Sequence, residues 1–484
     1  MRKGVKGGQL KILSKDDIYY IHLSVLRILE ECGVKVENDT ALKILENAGA
    51  EVNWKTKVAL IPSYLVEEAI KKAPKSIRLC GRDPNQDFVL EGKKVYFGSG
   101  TGTTHIYDPF TGEYRRTTKK DVEMAAKLSD ALPNIDHVWG LFSALDVPGN
   151  VIGLHQLEAV ISNTVKHACI YTWHGKPQIN KQIEILSLIA GGKEELRKRP
   201  LVTLYNEPHS PLTYGKDYID ALIEWAKAGL PQIWYPGAMP GATAPITLAG
   251  ALAQEWAESL GGLVIAQLVN PGTPFIIGVA SAGMDMRTTS VVYASPETYL
   301  LAIAAAQISH FYGIPMFGLG GASDSKVLDG QAVGEAATYL YIAALSGQHF
   351  IHDLGYMGSG LIGSLELLTI CDELVAQVKR VMKGIKVDDE TLAVDVIEKV
   401  GHGGNFLSEK HTRKFFREEY TIPELFDKWP YERWKKAGGK TLEQKAREKV
   451  LKILKEHEVE PLDKDVKKEI KKIIKETEKE LGSH

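Results

Sequence analysis

Cysteine is scarce in this sequence. Four thiols, Cys32, Cys80, Cys169 and Cys371, are spread through 484 residues with no Cys-x-x-Cys or His-x-Cys spacing. That pattern argues against a disulfide framework and against a compact thiolate zinc site, and it favours a reduced, cytoplasmic setting. A surplus of charge is missing too: 59 Lys and Arg stand against 61 Asp and Glu, a formal net charge of −2. No overall field therefore draws the chain to nucleic acid or to an anionic membrane. Unbroken apolar runs are also absent. Two uncharged stretches are long enough to cross a bilayer, Ala228–Gln254 and Ser259–Met284. Pro231, Pro236, Pro240 and Pro245 break the first, and Pro271 and Pro274 break the second, so both are expected in a buried core. The basic N-terminus has no apolar segment behind it, and no secretory signal is expected.

Several catalytic signatures are missing as well. There is no Gly-x-Ser-x-Gly elbow, which removes support for a hydrolase of that type. Gly98-Ser-Gly-Thr-Gly102 lacks the lysine of a phosphate-binding loop and reads instead as a close turn. His349-x-x-His352-Asp353 is the nearest approach to a metal triplet. On a strand, however, residues three apart point to opposite faces, so the two imidazoles are not expected to share an ion, and no metal is expected.

What is present is a large apolar fraction, 44% of the chain, with a repeating texture. Residues 1–115 read as an N-terminal α+β cap. Ser14 is a helix N-cap, helices follow to Gly33, from Asp39 to Gly49 and from Pro62, and strands are expected at Ile77–Cys80, Phe88–Leu90 and Val95–Phe97. Residues 116–407 read as a barrel of alternating strands and helices, in which eight short β-rich runs are each followed by an amphipathic segment. The runs are Ile135–Phe142, His167–His174, Leu201–Asn206, Gln232–Tyr235, Pro274–Ala280, Pro315–Leu319, His349–Leu354 and Gly404–Leu407. The fold class is thus α/β, a (β/α)8 TIM barrel with the cap before it and a helical extension after it; a doubly wound sheet is the alternative. Residues 408–484 hold a dense aromatic segment, including Phe415, Phe416, Tyr420, Trp429 and Trp434, and then Lys/Glu-rich helices. Aromatic density of that kind signals packing against a neighbour, and the charged helices are expected to be solvated or to dock a partner.

In such a barrel the reactive groups stand where strands end. Those ends are rich in rings: Tyr171-Thr-Trp173-His174, Tyr205-Asn-Glu207, Trp234-Tyr235, and His352-Asp353-Leu-Gly-Tyr356. Several rings with a few carboxylates suit a cationic substrate, because ring quadrupoles attract a quaternary ammonium by about 0.5–2 kcal/mol each.

Five further motifs carry a family resemblance. They are Pro271-Gly-Thr-Pro274, Met284-Asp-Met-Arg287, Ser295-Pro-Glu297, Gly320-Gly-Ala-Ser-Asp324-Ser-Lys326 followed by Asp329 and Gln331, and Gly403-Gly-Asn-Phe-Leu407 followed by His411-Thr412. Together, and in this order, they make the chain resemble the trimethylamine:corrinoid methyltransferase family from about Asp16 to Ala446. The resemblance implies a (β/α)8 barrel that meets a separate corrinoid protein and moves a methyl group from an amine to its cobalt(I). The cobalamin would belong to that partner, with no cofactor held by this chain. Archaeal members that act on trimethylamine carry pyrrolysine, whereas this chain has only the twenty ordinary residues. It therefore resembles the non-pyrrolysine branch, similar to glycine betaine methyltransferase, and the implied donor is a quaternary amine.

On that reading Tyr96, Trp173, Tyr205 and Tyr356 are expected to cage the cation. His352 would orient a carboxylate of the donor, while Glu207, Asp324 and Gln331 are polar groups of the rim. Three alternatives stand beside it: a betaine-binding sensor or scaffold without turnover, trimethylamine as the donor, and a generic lyase or aldolase using Lys326. A homo-oligomer is possible.

Overall fold

The computed structural model describes residues 1–171, 175–279 and 282–481. Eight parallel strands close on themselves: β1 (Lys94–Ser99), β2 (His137–Val138), β3 (His167–Tyr171), β4 (Val202–Asn206), β5 (Gln232–Trp234), β6 (Phe275–Gly278), β7 (Met316–Leu319) and β8 (Phe350–Leu354). Each pairs with the next, and β8 pairs back to β1 through Phe350–Tyr96 and Ile351–Phe97. Strands buried on both faces have no wet side to mark with polar residues, which is why β6 reads Phe-Ile-Ile-Gly without alternation.

A helix follows every strand: α1 (Lys119–Ala131), α2 (Ile152–Ser162), α3 (Gly175–Ala190), α4 (Lys216–Ala228), α5 (Leu248–Val269), α6 (Pro296–Tyr312), α7 (Gly330–Ser346) and α8 (Leu365–Lys383). Local chemistry sets their limits. In α6, Ser295 accepts the Thr298 N–H, Pro296 occupies the first turn, and Gly313 ends the helix at φ 65°. In α7, Asp329 accepts the Ala332 N–H and Gly347 closes the far end.

The strand count is right but two strand positions are not. Gly404–Leu407, expected as the eighth strand, is an exposed turn outside the barrel. The missing strand is β1, which the sequence placed within the cap. It forms because Phe88–Glu91 pairs backwards with Ser76–Leu79, leaving Lys94–Ser99 free to bridge β2 and β8.

The end of the barrel where the strands begin is stopped by rings. Phe350 stacks on His137 at 3.7 Å, and Phe88 lies 6.3 Å from both of them and 5.8 Å from His167. All four side chains are buried. The rest of the cap lies on the flank. Its helices Lys15–Arg27, Asp39–Ala48 and Ser63–Lys72 share a core with α5 and α6 that includes Val25, Leu29, Trp256, Leu260 and Ile308. Its small sheet reaches the rim through Thr213–Tyr214, which pairs with Val34–Val36.

At the opposite end, the Asp108–Gly112 turn joins His105–Tyr107 to Tyr114–Arg116, and this hairpin pairs on to Ile362–Gly363 and Tyr356–Met357. The charged C-terminal helices are docked on their own barrel and are not freely solvated. Leu442–Glu456 buries Ala446 and Val450, and Lys464–Leu481 buries Ile470, Ile473 and Ile474. The second is held by a hydrogen bond that the Asn150 side-chain amide donates to the Leu481 carbonyl and by a His155–Glu478 pair at 2.7 Å.

Candidate active site

A cavity of about 310 Å3 opens where the strands end. Five phenol rings line it: Tyr171 from β3, Tyr205 from β4, Tyr235 after β5, Tyr293 from the loop between β6 and α6, and Tyr356 after β8. Glu207, His352 and Asp353 supply the ionisable groups, and the described lining contains no Lys or Arg. Burial raises the phenols well above their ordinary pKa at Tyr205, Tyr235, Tyr293 and Tyr356, and to about 12 at Tyr171, so all five are neutral.

His352 is the centre of the ring cluster. Its centroid lies 4.4 Å from Trp139, 5.3 Å from Phe317, 5.6 Å from Tyr356 and 6.3 Å from Tyr205. Its neighbour Asp353 would point away from the cavity on a regular strand. It does not, because the pairing of β8 with β1 slips between Ile351 and Leu354, and Asp353 takes φ 82°. A non-glycine residue held there costs about 1–3 kcal/mol, a strain typical of functional sites. The result is that His352 Nδ1 lies against the Asp353 carboxylate, while His352 Nε2 and Asp353 Oδ2 have no hydrogen-bond partner among the described residues.

The glycine-rich turn has a plain purpose. The Tyr356 hydroxyl donates to the Thr101 carbonyl and accepts the Thr101 N–H at 2.9 Å. A Cβ on Gly100 would stand 2.2 Å from the Tyr356 ring, so only glycine lets the ring lie on this turn. Thr101 and Gly102 line the cavity as expected of a turn at the mouth.

Glu207 is exposed to the cavity it lines and surrounded by the protein of the rim. Loss of bulk solvent, with Asp353 adding repulsion, raises its carboxyl to about 7 against the pull of a hydrogen bond from Tyr205. Asp324 is elsewhere: it accepts the N–H groups of Tyr293 at 3.1 Å and Ala294 at 2.9 Å, fixing the loop that carries Tyr293. Gln331 donates to Glu335, which also accepts from Ser323 and from the Asp324 N–H. Asp324 and Gln331 thus line a neighbouring groove of about 940 Å3, which shares Val291 with the cavity.

Of the residues named from sequence, the structure brings together Tyr205, Glu207, His352 and Tyr356. Tyr96 is not among them. It pairs with Phe350 at the stopped end and packs 4.5 Å from Phe88, one layer too low to reach the cavity. Trp173 lies outside the described residues. Lys326 is exposed, with its amine on the Asp324 carbonyl. Sequence reasoning placed Tyr171, Tyr235 and Asp353 at strand ends without assigning them a role around the cation, and missed Tyr293, which no strand pattern marks. No cluster of three or more His, Cys, Asp or Glu able to hold a metal occurs among the described residues, nor is any helix there long and apolar enough to cross a membrane.

The family model described as trimethylamine methyltransferase (MTTB) matches residues 3–482. Trimethylamine methyltransferase MttB of Desulfitobacterium hafniense (strain DSM 10664 / DCB-2) is 37% identical, over 99% of this chain and 96% of that protein. Glycine betaine methyltransferase of Desulfitobacterium hafniense (strain Y51) is 35% identical, over 97% and 98%. Trimethylamine methyltransferase MttB of Methanosarcina barkeri (strain Fusaro / DSM 804) is also 35% identical, over 96% and 94%. The crystal structure of the Methanosarcina barkeri monomethylamine methyltransferase (MtmB) shares the fold, with a TM-score of 0.50 over 93% of this chain and 95% of that one at 12% identity. The closed barrel and the near full-length matches lead to one conclusion: this chain belongs to the trimethylamine methyltransferase (MttB) family.

Proposed function

We propose that this protein is a methyltransferase that moves a methyl group from a quaternary, betaine-like amine to the cobalt(I) of a corrinoid carried by a separate protein. The observation that carries the reading is the cavity itself, five neutral tyrosines and two carboxyl groups with no Lys or Arg among its described lining residues. Rings attract a methylated cation without neutralising it. In this reading Glu207 and Asp353 add a negative field, and the buried Nε2–H of His352, without a hydrogen-bond partner among the described residues, donates to a carboxylate on the far end of the donor.

The chemistry asks little else of the protein. The cobalt electron pair forms the new bond to the methyl carbon as the C–N bond breaks, and the C–N pair stays on nitrogen as a neutral tertiary amine. A quaternary nitrogen is charged at every pH, so no acid is needed to make a leaving group. What remains is to hold the C–N axis toward the opening and to exclude water, tasks worth about 7–11 kcal/mol in well-oriented systems. In this reading the chain carries no cofactor of its own.

A second reading, trimethylamine as donor, is favoured by the relative at 37% identity, which is named a trimethylamine methyltransferase. Incubating the protein with a reduced corrinoid protein and each amine, and following loss of cobalt(I) absorbance, separates the two. Glycine betaine or another quaternary amine should methylate the cobalt and trimethylamine should not. Faster transfer from trimethylamine would reassign the donor, and transfer from no methylated amine would leave the sensor reading.

The Glu207 carboxyl makes this activity sensitive to pH. With its pKa raised to about 7, it gains a proton as pH falls through 7 and its attraction for the cation disappears. Because the donor does not titrate, kcat/KM should fall below pH 7 toward the level of Glu207→Gln, and that variant should show no such inflection. A flat profile for the parent would remove Glu207 from the site.

A further inference from the structure

Four of the cavity rings fall into two pairs that are held in different ways. Tyr205 and Tyr235, 5.9 Å apart, stand at the ends of β4 and β5, so the barrel itself fixes them. Tyr293 and Tyr356 meet edge to face, 6.0 Å apart at 81°. Both of these are tied to the loop after β7, residues 320–329.

The ties run through backbone groups. Asp324 takes the N–H groups of Tyr293 and Ala294, just past the small hairpin of Gly283–Met284 and Val291–Val292. Ser323 donates its N–H to the Tyr356 carbonyl at 3.0 Å, and the Ser325 carbonyl accepts the Gly358 N–H at 2.8 Å. Close approach makes this possible: a Cβ on Gly321, at φ 73°, would stand 2.9 Å from Leu354.

The loop that carries these ties is neither strand nor helix. Its position is handed down from α7 by one side chain, Glu335 in the second turn. One carboxylate oxygen of Glu335 accepts the Ser323 hydroxyl at 2.7 Å and the Asp324 N–H at 2.8 Å, while the other accepts the Gln331 amide at 2.9 Å. Farther along α7, Ala336, Tyr339, Leu340 and Ala343 are buried, so the helix is a fixed support. Glu335 is thus a strut of set length between a rigid helix and two rings of the cavity. The length matters, because a misplacement of about 1 Å at a reacting site can cost about a hundredfold.

Resting on the reading of the cavity as a cation cage, we propose that Glu335 is a positioning residue that sets the width of the cage. It fixes where the Tyr293–Tyr356 pair stands relative to Tyr205 and Tyr235, and so selects the size of the ammonium head. Calorimetric binding to the full chain tests this with two probes that share a carboxylate tail, glycine betaine and its triethylammonium analogue. The parent should bind the trimethylammonium head about tenfold more tightly or better. Glu335→Ala should weaken glycine betaine binding about tenfold and remove most of that preference. Glu335→Gln keeps the length and an acceptor oxygen and should match the parent. Glu335→Asp keeps the charge, falls short of Ser323, and should match alanine; these two variants carry the contrast if Glu335→Ala does not fold. In a Tyr293→Ala protein, Glu335→Ala should change the preference no further. A parent that binds neither probe would overturn the cage reading together with this proposal. A parent that binds both heads equally, a folded Glu335→Asp with the parent's preference, a Glu335→Gln that behaves like alanine, or an effect of Glu335→Ala that persists without the Tyr293 ring would overturn the role of Glu335 alone.

Discussion

Replacing His352 with alanine should lower kcat/KM for methyl transfer by about a hundredfold or more, about 2.7 kcal/mol of transition-state stabilisation, in a protein that still folds. The imidazole fills the space bounded by Trp139, Phe317, Tyr205 and Tyr356, and its buried Nε2 has no hydrogen-bond partner among the described residues. Alanine removes both the ring that spaces the cage and the polar contact, so the donor loses its orientation toward the opening. Two further variants separate these roles. His352→Phe should restore the packing without the transfer, and His352→Gln should recover part of the rate for a donor that has a carboxylate and none for a donor that lacks one. A folded His352→Ala enzyme with parent kinetics would place the reaction elsewhere.

Two residues earlier on the same strand, Phe350→Ala should cost about 3–5 kcal/mol of stability, read as a shift in denaturant midpoint. Phe350 is fully buried and stacks on His137, with Trp139, Phe88 and His167 around it. No neighbour can collapse into the gap without moving a strand, so the cavity term stays large. The same cluster has a pH signature. Burial holds His137 well below its ordinary pKa and His167 at about 4, so both are neutral when folded. The unfolded chain takes up protons below about 6.5 while the folded chain does not. The parent should therefore lose stability as pH falls from about 6.5 toward 4. Unchanged stability in Phe350→Ala, or a parent equally stable at both ends of that range, would contradict this account of the stopped end.

Much of the architecture can be read from the sequence because strand, turn and helix chemistry is local. Ser295-Pro296 and Gly313 bound α6, and Gly49 ends the second cap helix. The first strand was harder to see. Lys94–Ser99 follows Phe88–Glu91 at hairpin distance, and its partners β2 and β8 are far away in sequence, so nothing local reveals that it closes the barrel. Counting to eight then drew in Gly404–Leu407, which has the glycines of a strand end and no strand. The site divides in the same way. Tyr205, Glu207 and Tyr356 follow from strand ends, and so could Tyr171 and Tyr235. Tyr96 shows that a ring on a barrel strand also has a depth, which is set by register. Tyr293 is placed by the carboxylate of Asp324, thirty-one residues away, and Asp353 by a slip in pairing, and neither leaves a periodic trace.

The ring plug formed by Phe88, His137, His167 and Phe350 also sets a sequence of events in time. A barrel stopped at one end leaves the mouth as the way in and the way out. On the proposed reaction, the donor has to enter before the methyl acceptor covers the opening, and the spent amine has to wait until the acceptor withdraws. Turnover then follows a compulsory order, and an excess of acceptor should slow the cycle by sealing a cavity that is still empty.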